Sequence, residues 1–389
     1  MLEQLSKRAL TCALIIALLL LFTSCNYTEN GGNEAQTGMS GEASFLLEEY
    51  KKCVNNGDLY GLLDLFTDKA RAVIENQNMD YSGTHTFGSV EISDIMQIDN
   101  DISLKLNWMA DGFADGYDAV ETYLAEVDYQ ILSHNTNHEG IGLPFTETKD
   151  RYLVFTAIKD GETWKIYSIT LPDNLIQAVE AGVLPYEETR EGRLSTLDLQ
   201  LFEEEFSPIT YAIPGDEGTA RFSDVNGFFR SFYSKPEEID LEEFMRYFGR
   251  QNWVNENDNK EEFEEIARLY KEKTGSDLAE QLVFAPPIKY NKADVDEVLM
   301  KYAGITSDDL IKKDYDQLLY SEKYQAYYNF TSDFGPGQFN PDEGYAEDGV
   351  YTFVERNVTG SEAEGYYDVR TVFIREGDRY KIVSREIVQ

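Results

Sequence analysis

A period of two is the feature that most narrows the fold. From Ala119 to Ser133, the residues Tyr123, Ala125, Val127, Tyr129 and Ile131 alternate with Leu124, Glu126, Asp128, Gln130 and Leu132. One apolar face and one largely polar face describe a strand buried on one side. Downstream, Arg151–Lys159 and Glu162–Leu171 flank Asp160-Gly161, a pair suited to the tight turn of a hairpin. A turn that short makes the pairing antiparallel.

Helices precede this sheet. Within Ser44–Asn56, Phe45, Leu46, Tyr50, Cys53 and Val54 recur at helical spacing. Gly57 ends that helix, and Asp58 caps a second whose apolar face is Leu59, Leu62, Leu63 and Phe66. Cys53 falls on the buried stripe and reads as a small core hydrophobe. The same order returns in the second half. Aromatic helix material at Phe228, Phe229, Phe232 and Tyr233 is followed by Asp240–Gly249, and Tyr366–Arg375 and Arg379–Val388 flank Glu376-Gly377 at the end.

The two halves also align. A shift of 182 residues sets Asp58, Leu59 and Phe66 over Asp240, Leu241 and Phe248. A shift of 216 sets Ile158, Gly161, Lys165, Ile166 and Ser168 over Ile374, Gly377, Lys381, Ile382 and Ser384. The difference (216 − 182 = 34) predicts an insertion in the second copy, placed at Pro286–Leu319, where Lys292–Ala303 reads as helix. The expected class is α+β in two domains, 44–181 and 220–389, each with helices packed on a curved antiparallel sheet, the second a diverged copy with an insertion. Between them, 182–219 contains Pro185, Pro208 and Pro214 and reads as a connector.

A short helical hairpin ending in Leu62-Leu63-Asp64-Leu65-Phe66-Thr67, ahead of a bent antiparallel sheet, resembles the nuclear-transport-factor-two-like superfamily. The resemblance covers Phe45–Ala181 and, more distantly, Phe228–Gln389. It implies a cone in which helices close the open side of a curved sheet. The interior of such a cone holds a small apolar ligand, an active site or packed side chains, and fold alone does not choose among them. Trp108, Tyr123, Tyr129 and Trp164 are the candidate pocket-lining residues. Isomerase-type members place an acidic base inside the cone, yet Glu126 and Asp128 fall on the face opposite Tyr123 and Tyr129. The second half is also similar to the C-terminal regions of uncharacterised Gram-positive lipoproteins, a likeness that implies no activity.

At the N-terminus, Lys7 and Arg8 precede Ala9–Phe22, 14 residues without a charge. A membrane span needs about 20 apolar residues, and the shorter run suits the core of a signal peptide, residues 1–24. Phe22-Thr23-Ser24-Cys25 resembles the lipobox of bacterial lipoproteins, with Phe22 where an aliphatic residue is usual. That resemblance implies cleavage before Cys25, acylation of its thiol, and a protein held to the extracytoplasmic face of the cell membrane. Residues 25–43 then form a tether: Asn26–Ala43 has four Gly and one aromatic residue, too little to build a core. With Cys12 removed and Cys25 acylated, Cys53 is the remaining thiol, so no internal disulfide is expected.

Composition excludes several functions. There are 72 Asp+Glu against 34 Lys+Arg, a net charge of -38, so nucleic acid is not an expected partner. Three Cys exclude a disulfide scaffold and a four-cysteine zinc site. His134 and His138 sit in a polar turn, His85 stands apart from both, and no metal or cofactor is expected. Two acidic loops fail as EF-hands. Asn255–Lys260 has Lys260 where Gly is needed and Ile266 where Glu is needed, and Asp111–Gly116 has Phe113 and Thr122 in ligand positions. No phosphate loop, zincin motif or nucleophile elbow is present, so no catalytic residue is assigned. The expected function is that of a lipid-anchored binding or interaction protein, its partner a small apolar ligand, an envelope polymer or an envelope protein. The alternatives are a cone-pocket enzyme of isomerase or hydrolase type, and a structural or regulatory envelope module.

Overall fold

The computed structural model describes residues 41–72, 89–109, 112–132, 146–211, 220–246, 248–281, 286–312, 315–316, 318–330, 337–359 and 366–388. Helix α1 (Phe45–Asn56) stops at Gly57, where a φ of 66° turns the chain back on itself. Helix α2 (Leu59–Leu65) starts under Asp58, whose Oδ1 accepts from Gly61 N at 2.9 Å. Cys53 is buried in this corner, and burial raises the pKa of its thiol.

The helical hairpin lies on an antiparallel sheet of β1 (Ser89–Ile98), β2 (Ala119–Leu132), β3 (Thr146–Asp160) and β4 (Thr163–Thr170), in that spatial order. Helix α3 (Asn100–Lys105) follows β1. On one face Tyr123, Ala125, Val127, Phe155, Ala157 and Ile166 pack against Leu46, Leu47, Val54 and Phe66. The alternation predicts a wet opposite face, and here the molecule differs. Leu124, Tyr152 and Val154 are covered by Trp108 and by Leu175 and Ala178 of α4 (Leu175–Glu180).

The stretch read as a connector continues that cover. It holds β5 (Gly192–Arg193) and α5 (Thr196–Glu205), with residues 212–219 outside the described set. Ser195 and Asp198 form a reciprocal capping box, Asp198 N donating to Ser195 Oγ at 3.1 Å and Ser195 N to Asp198 Oδ2 at 2.8 Å. Leu197 and Leu201 enter the core of the first half, while Phe202 and Phe206 enter that of the second. Gln200 grips β3 beyond the last β3–β4 pair, Val154 with Thr170. Its Oε1 accepts from Tyr152 N at 2.6 Å, and its Nε2 donates to Tyr152 O at 3.2 Å.

A short hairpin, β6 (Ile209–Tyr211) with β7 (Ala220–Phe222), and helix α6 (Leu241–Arg246) lead into a second, small sheet. Its elements are β8 (Asn252–Trp253), α7 (Lys260–Thr274), α8 (Leu278–Gln281), β9 (Ile288–Asn291), α9 (Lys292–Ala303), β10 (Leu319–Ser321) and β11 (Ala326–Asn329). Helix α7 begins directly after Asn259, which makes no capping bond with its side chain. The closing sheet is β12 (Glu343–Glu347), β13 (Val350–Thr359), β14 (Tyr366–Glu376) and β15 (Arg379–Val388), in the spatial order β15-β14-β13-β12-β5. Phe353, Phe373 and Ile382 meet Phe202, Phe206, Phe244 and Val298 in the core of this half.

The terminal hairpins coincide at the 216-residue offset. Pairing skips Tyr167 between Thr156–Ser168 and Ala157–Ile166, and it skips Val383 between Val372–Ser384 and Phe373–Ile382. The turns match too, with φ of 63° at Gly161 and 66° at Gly377. The expected insertion is larger and begins earlier than Pro286: all of 247–342, including the small sheet, separates α6 from β12. A shorter connection elsewhere offsets part of it. Asp348-Gly349 joins β12 to β13, where the first half uses residues 99–118 between β1 and β2.

Two acids give this assembly opposite responses to pH. Glu188 accepts from Tyr351 Oη at 2.6 Å, Tyr380 Oη at 2.7 Å and Arg375 Nη1 at 2.6 Å. Burial alone would raise its pKa, but these donors outweigh burial and hold the carboxyl down to about 2. Its stabilisation is complete above the unfolded value of about 4.3 and is lost as pH falls towards 2. Glu126, facing Thr196 at the start of α5, is shifted the other way, by burial first and by Asp94 and Asp150 next. Its ionised form works against folding at neutral pH, so its contribution improves as pH falls from 7. Glu188→Gln should cost about 2 to 3 kcal/mol at pH 7 in urea unfolding, whereas Glu126→Gln should raise stability at that pH. A Glu188→Gln chain as stable as the parent, or a Glu126→Gln chain less stable at pH 7, contradicts this.

Candidate functional site

The first sheet separates the aromatic residues singled out in the sequence. Tyr123 on β2 is 1% exposed, and burial pushes its hydroxyl pKa up. Trp164 on β4 shares that core, with Lys159 Nζ 5.6 Å from its ring centre. Trp108 stands on the other side of the sheet, its Nε1 donating to Asp173 O at 2.5 Å. These three therefore do not line one cavity. Tyr129 pairs with Lys149 in the β2–β3 ladder, and its side chain lies outside the described set. Cys25, His85, His134 and His138 also lie outside the described residues.

One acid does stand beside Tyr123, and the alternation contained the signal. Glu121 is two residues before Tyr123 and so shares its face. Its carboxylate accepts the Tyr123 hydroxyl, and it accepts Glu42 N at 3.1 Å and Ala43 N at 2.9 Å. The chain entering α1 thus closes over this acid–hydroxyl pair.

The second half has its own buried charge. Glu355 and Arg385 form an ion pair with side chains 3% and 2% exposed. Arg385 also donates to Thr371 Oγ1 at 2.8 Å and Gln338 O at 3.1 Å, and Glu355 accepts from Asn340 N at 2.9 Å. The arrangement is enclosed, and breaking one partner would strand a charge in the core. Among the described residues, no group of three or more His, Cys, Asp or Glu side chains is disposed to hold a metal ion.

Among the described residues an accessible concavity lies elsewhere. Between the end of α2 and the β3–β4 hairpin is a cleft of about 410 Å³. Asp64, Asp68, Lys69 and Arg71 form one wall, Asp160 and Lys165 the hairpin wall, and Tyr117 and Tyr167 stand among them. Tyr167 is the residue the β4 bulge leaves unpaired, and a bulge of this kind re-aims a side chain. Its ring lies 4.5 Å from that of Phe113 and 6.3 Å from that of Tyr117, centre to centre. Lys69 Nζ is 6.0 Å from the Tyr167 ring centre, Arg71 Nη1 is 3.0 Å from Asp64 Oδ1, and Lys165 Nζ donates to the Asp64 carbonyl. Paired charges and rings on regular elements form a preshaped polar seat. Sequence reasoning did not find it, because its residues come from three separate stretches of the chain and share no spacing.

No family model and no curated protein matches this chain. Among solved structures, the chain is similar to a polyketide cyclase-like protein of Pseudomonas putida over 37% of its own length and 98% of that chain, at 19% identity and a TM-score of 0.20. It is similar to an NTF2-like protein involved in plasmid conjugation over 87% of its own length and 90% of that chain, at 8% identity and a TM-score of 0.18. Superpositions this loose say nothing about activity or ligand.

Proposed function

We propose that this chain is a lipid-anchored binding protein of the extracytoplasmic face of a bacterial membrane, with its ligand seat in the cleft beside the β3–β4 hairpin. The observation that carries the reading is the cleft itself, about 410 Å³ of polar space on regular elements, outside the packed face of the first sheet. The anchor rests on Lys7 and Arg8, the apolar run Ala9–Phe22, and Thr23-Ser24-Cys25. Two acyl chains on Cys25 would satisfy the need for more than one lipid in stable attachment. The excess of acid keeps the domain away from an anionic surface.

A second reading, an active site of isomerase or hydrolase type within the first half, has one observation in its favour, the contact of Glu121 with Tyr123. That acid already holds the amides of Glu42 and Ala43, so the reading requires the chain entering α1 to lift.

Two measurements test the proposal. Cys25→Ala should move the chain from the membrane to the soluble fraction of expressing bacteria, and retention on the membrane would contradict the anchor. Hydrogen exchange of the full chain, with and without an envelope extract, should show protection gained at 63–71 and 158–167. Protection gained instead along β2 and β3 would favour the interior as the ligand site.

A further inference from the structure

The cleft is electrically balanced in a protein that is not. Three acids (Asp64, Asp68, Asp160) and three bases (Lys69, Arg71, Lys165) line it, while the chain as a whole carries -38. Arg71 already pairs with Asp64 at 3.0 Å, and Lys165 Nζ donates to the Asp64 backbone carbonyl. A lining of this kind exerts little net pull on an ion of either sign. It does present donors and acceptors side by side, and a carboxylate or guanidinium can each meet two hydroxyls at once.

Beside these groups stand two ring faces. Tyr117 and Tyr167 are 6.3 Å apart, and Phe113 packs against both, 5.1 Å from Tyr117 and 4.5 Å from Tyr167. Fixed aromatic faces next to paired donors and acceptors match a ring-shaped polyol, whose C–H face lies on an aromatic ring while its rim of hydroxyls takes the polar groups. The matching hairpin in the second half lacks the ring. Its bulge carries Val383 where the first carries Tyr167, although Lys381 stands where Lys165 does.

Resting on the cleft as the ligand seat, we infer that its ligand is a neutral saccharide, such as a short stretch of an envelope polymer. Tyr167 and Tyr117 are the stacking platform, and Asp64, Asp160, Arg71 and Lys165 are the hydroxyl partners. The balanced lining sets the preference for an uncharged ligand, and the Tyr167 ring, which Val383 replaces at the matching bulge, confines the site to the first half.

Calorimetric titration of the full chain in detergent tests this, using maltotriose, tri-N-acetylchitotriose, glycylglycine and inorganic phosphate as probes. At least one of the two saccharides should bind, with an affinity that changes little between about 50 and 500 mM salt. Tyr167→Ala should weaken it about tenfold or more, while Tyr167→Phe, which keeps the ring, should retain it. Asp64→Asn, a change at the exposed rim, gives an independent loss should Tyr167→Ala fail to fold. Binding of glycylglycine or phosphate alone, lost in the same variants, overturns the saccharide and leaves the cleft standing. Saccharide binding untouched by the Tyr167 and Asp64 changes overturns both, as does the absence of heat with all four probes.

Discussion

Helix α5 uses its two sides on two different cores, and the rest of the molecule is arranged around that. Leu197 and Leu201, one turn apart, join the layer under the first sheet, and Phe202 and Phe206, also one turn apart, join the aromatic core of the second half. Phe202 alone has its ring 4.6 Å from both Phe353 and Tyr380. Polar ties reinforce the joint. Arg151 of β3 reaches Glu203 on α5 and Asn340 beyond it, and Asn340 N in turn donates to Glu355. A linker would leave the halves independent, but this helix makes each half part of the other's wall.

That arrangement decides where a ligand can sit. With α1 and α2 on one face and α4 and α5 on the other, the first sheet is a filled middle layer, and its aromatic residues are divided between two cores. Concave, wet space is left at the rim, where the β3–β4 hairpin projects past α2. The bulge that curls the strand also turns Tyr167 towards that space. In the second half Glu188, from the stretch ahead of β5, spans Tyr351, Tyr380 and Arg375, the last two standing where Trp164 and Lys159 stand in the first half.

Local chemistry was legible wherever one residue decides the backbone. Gly57 and Asp58 end one helix and start the next, and Gly161 and Gly377 turn the two hairpins. The 216-residue alignment proved to be a register, with both bulges at matching positions. Helix α5 escaped detection because its apolar residues run round the cylinder in place of forming a stripe, which is what burial on two sides requires. The Ser195-Thr-Leu-Asp198 capping box was its visible signature, overshadowed by the prolines around it. The size of the insertion was hidden because shorter connections after it offset part of its length. Glu121 was within reach of the period-two reading, two places before Tyr123. The cleft was not, since only tertiary structure brings residues 64–71, 117 and 160–167 together.

The joint at α5 is the central claim, and scanning calorimetry of the full chain tests it most directly. If the helix couples the halves, they melt in one transition whose calorimetric and van't Hoff enthalpies agree, and Phe202→Ala lowers that single transition as a whole. Two resolved transitions, with Phe202→Ala moving one and sparing the other, would show that the halves are separate domains and that α5 belongs to just one of them.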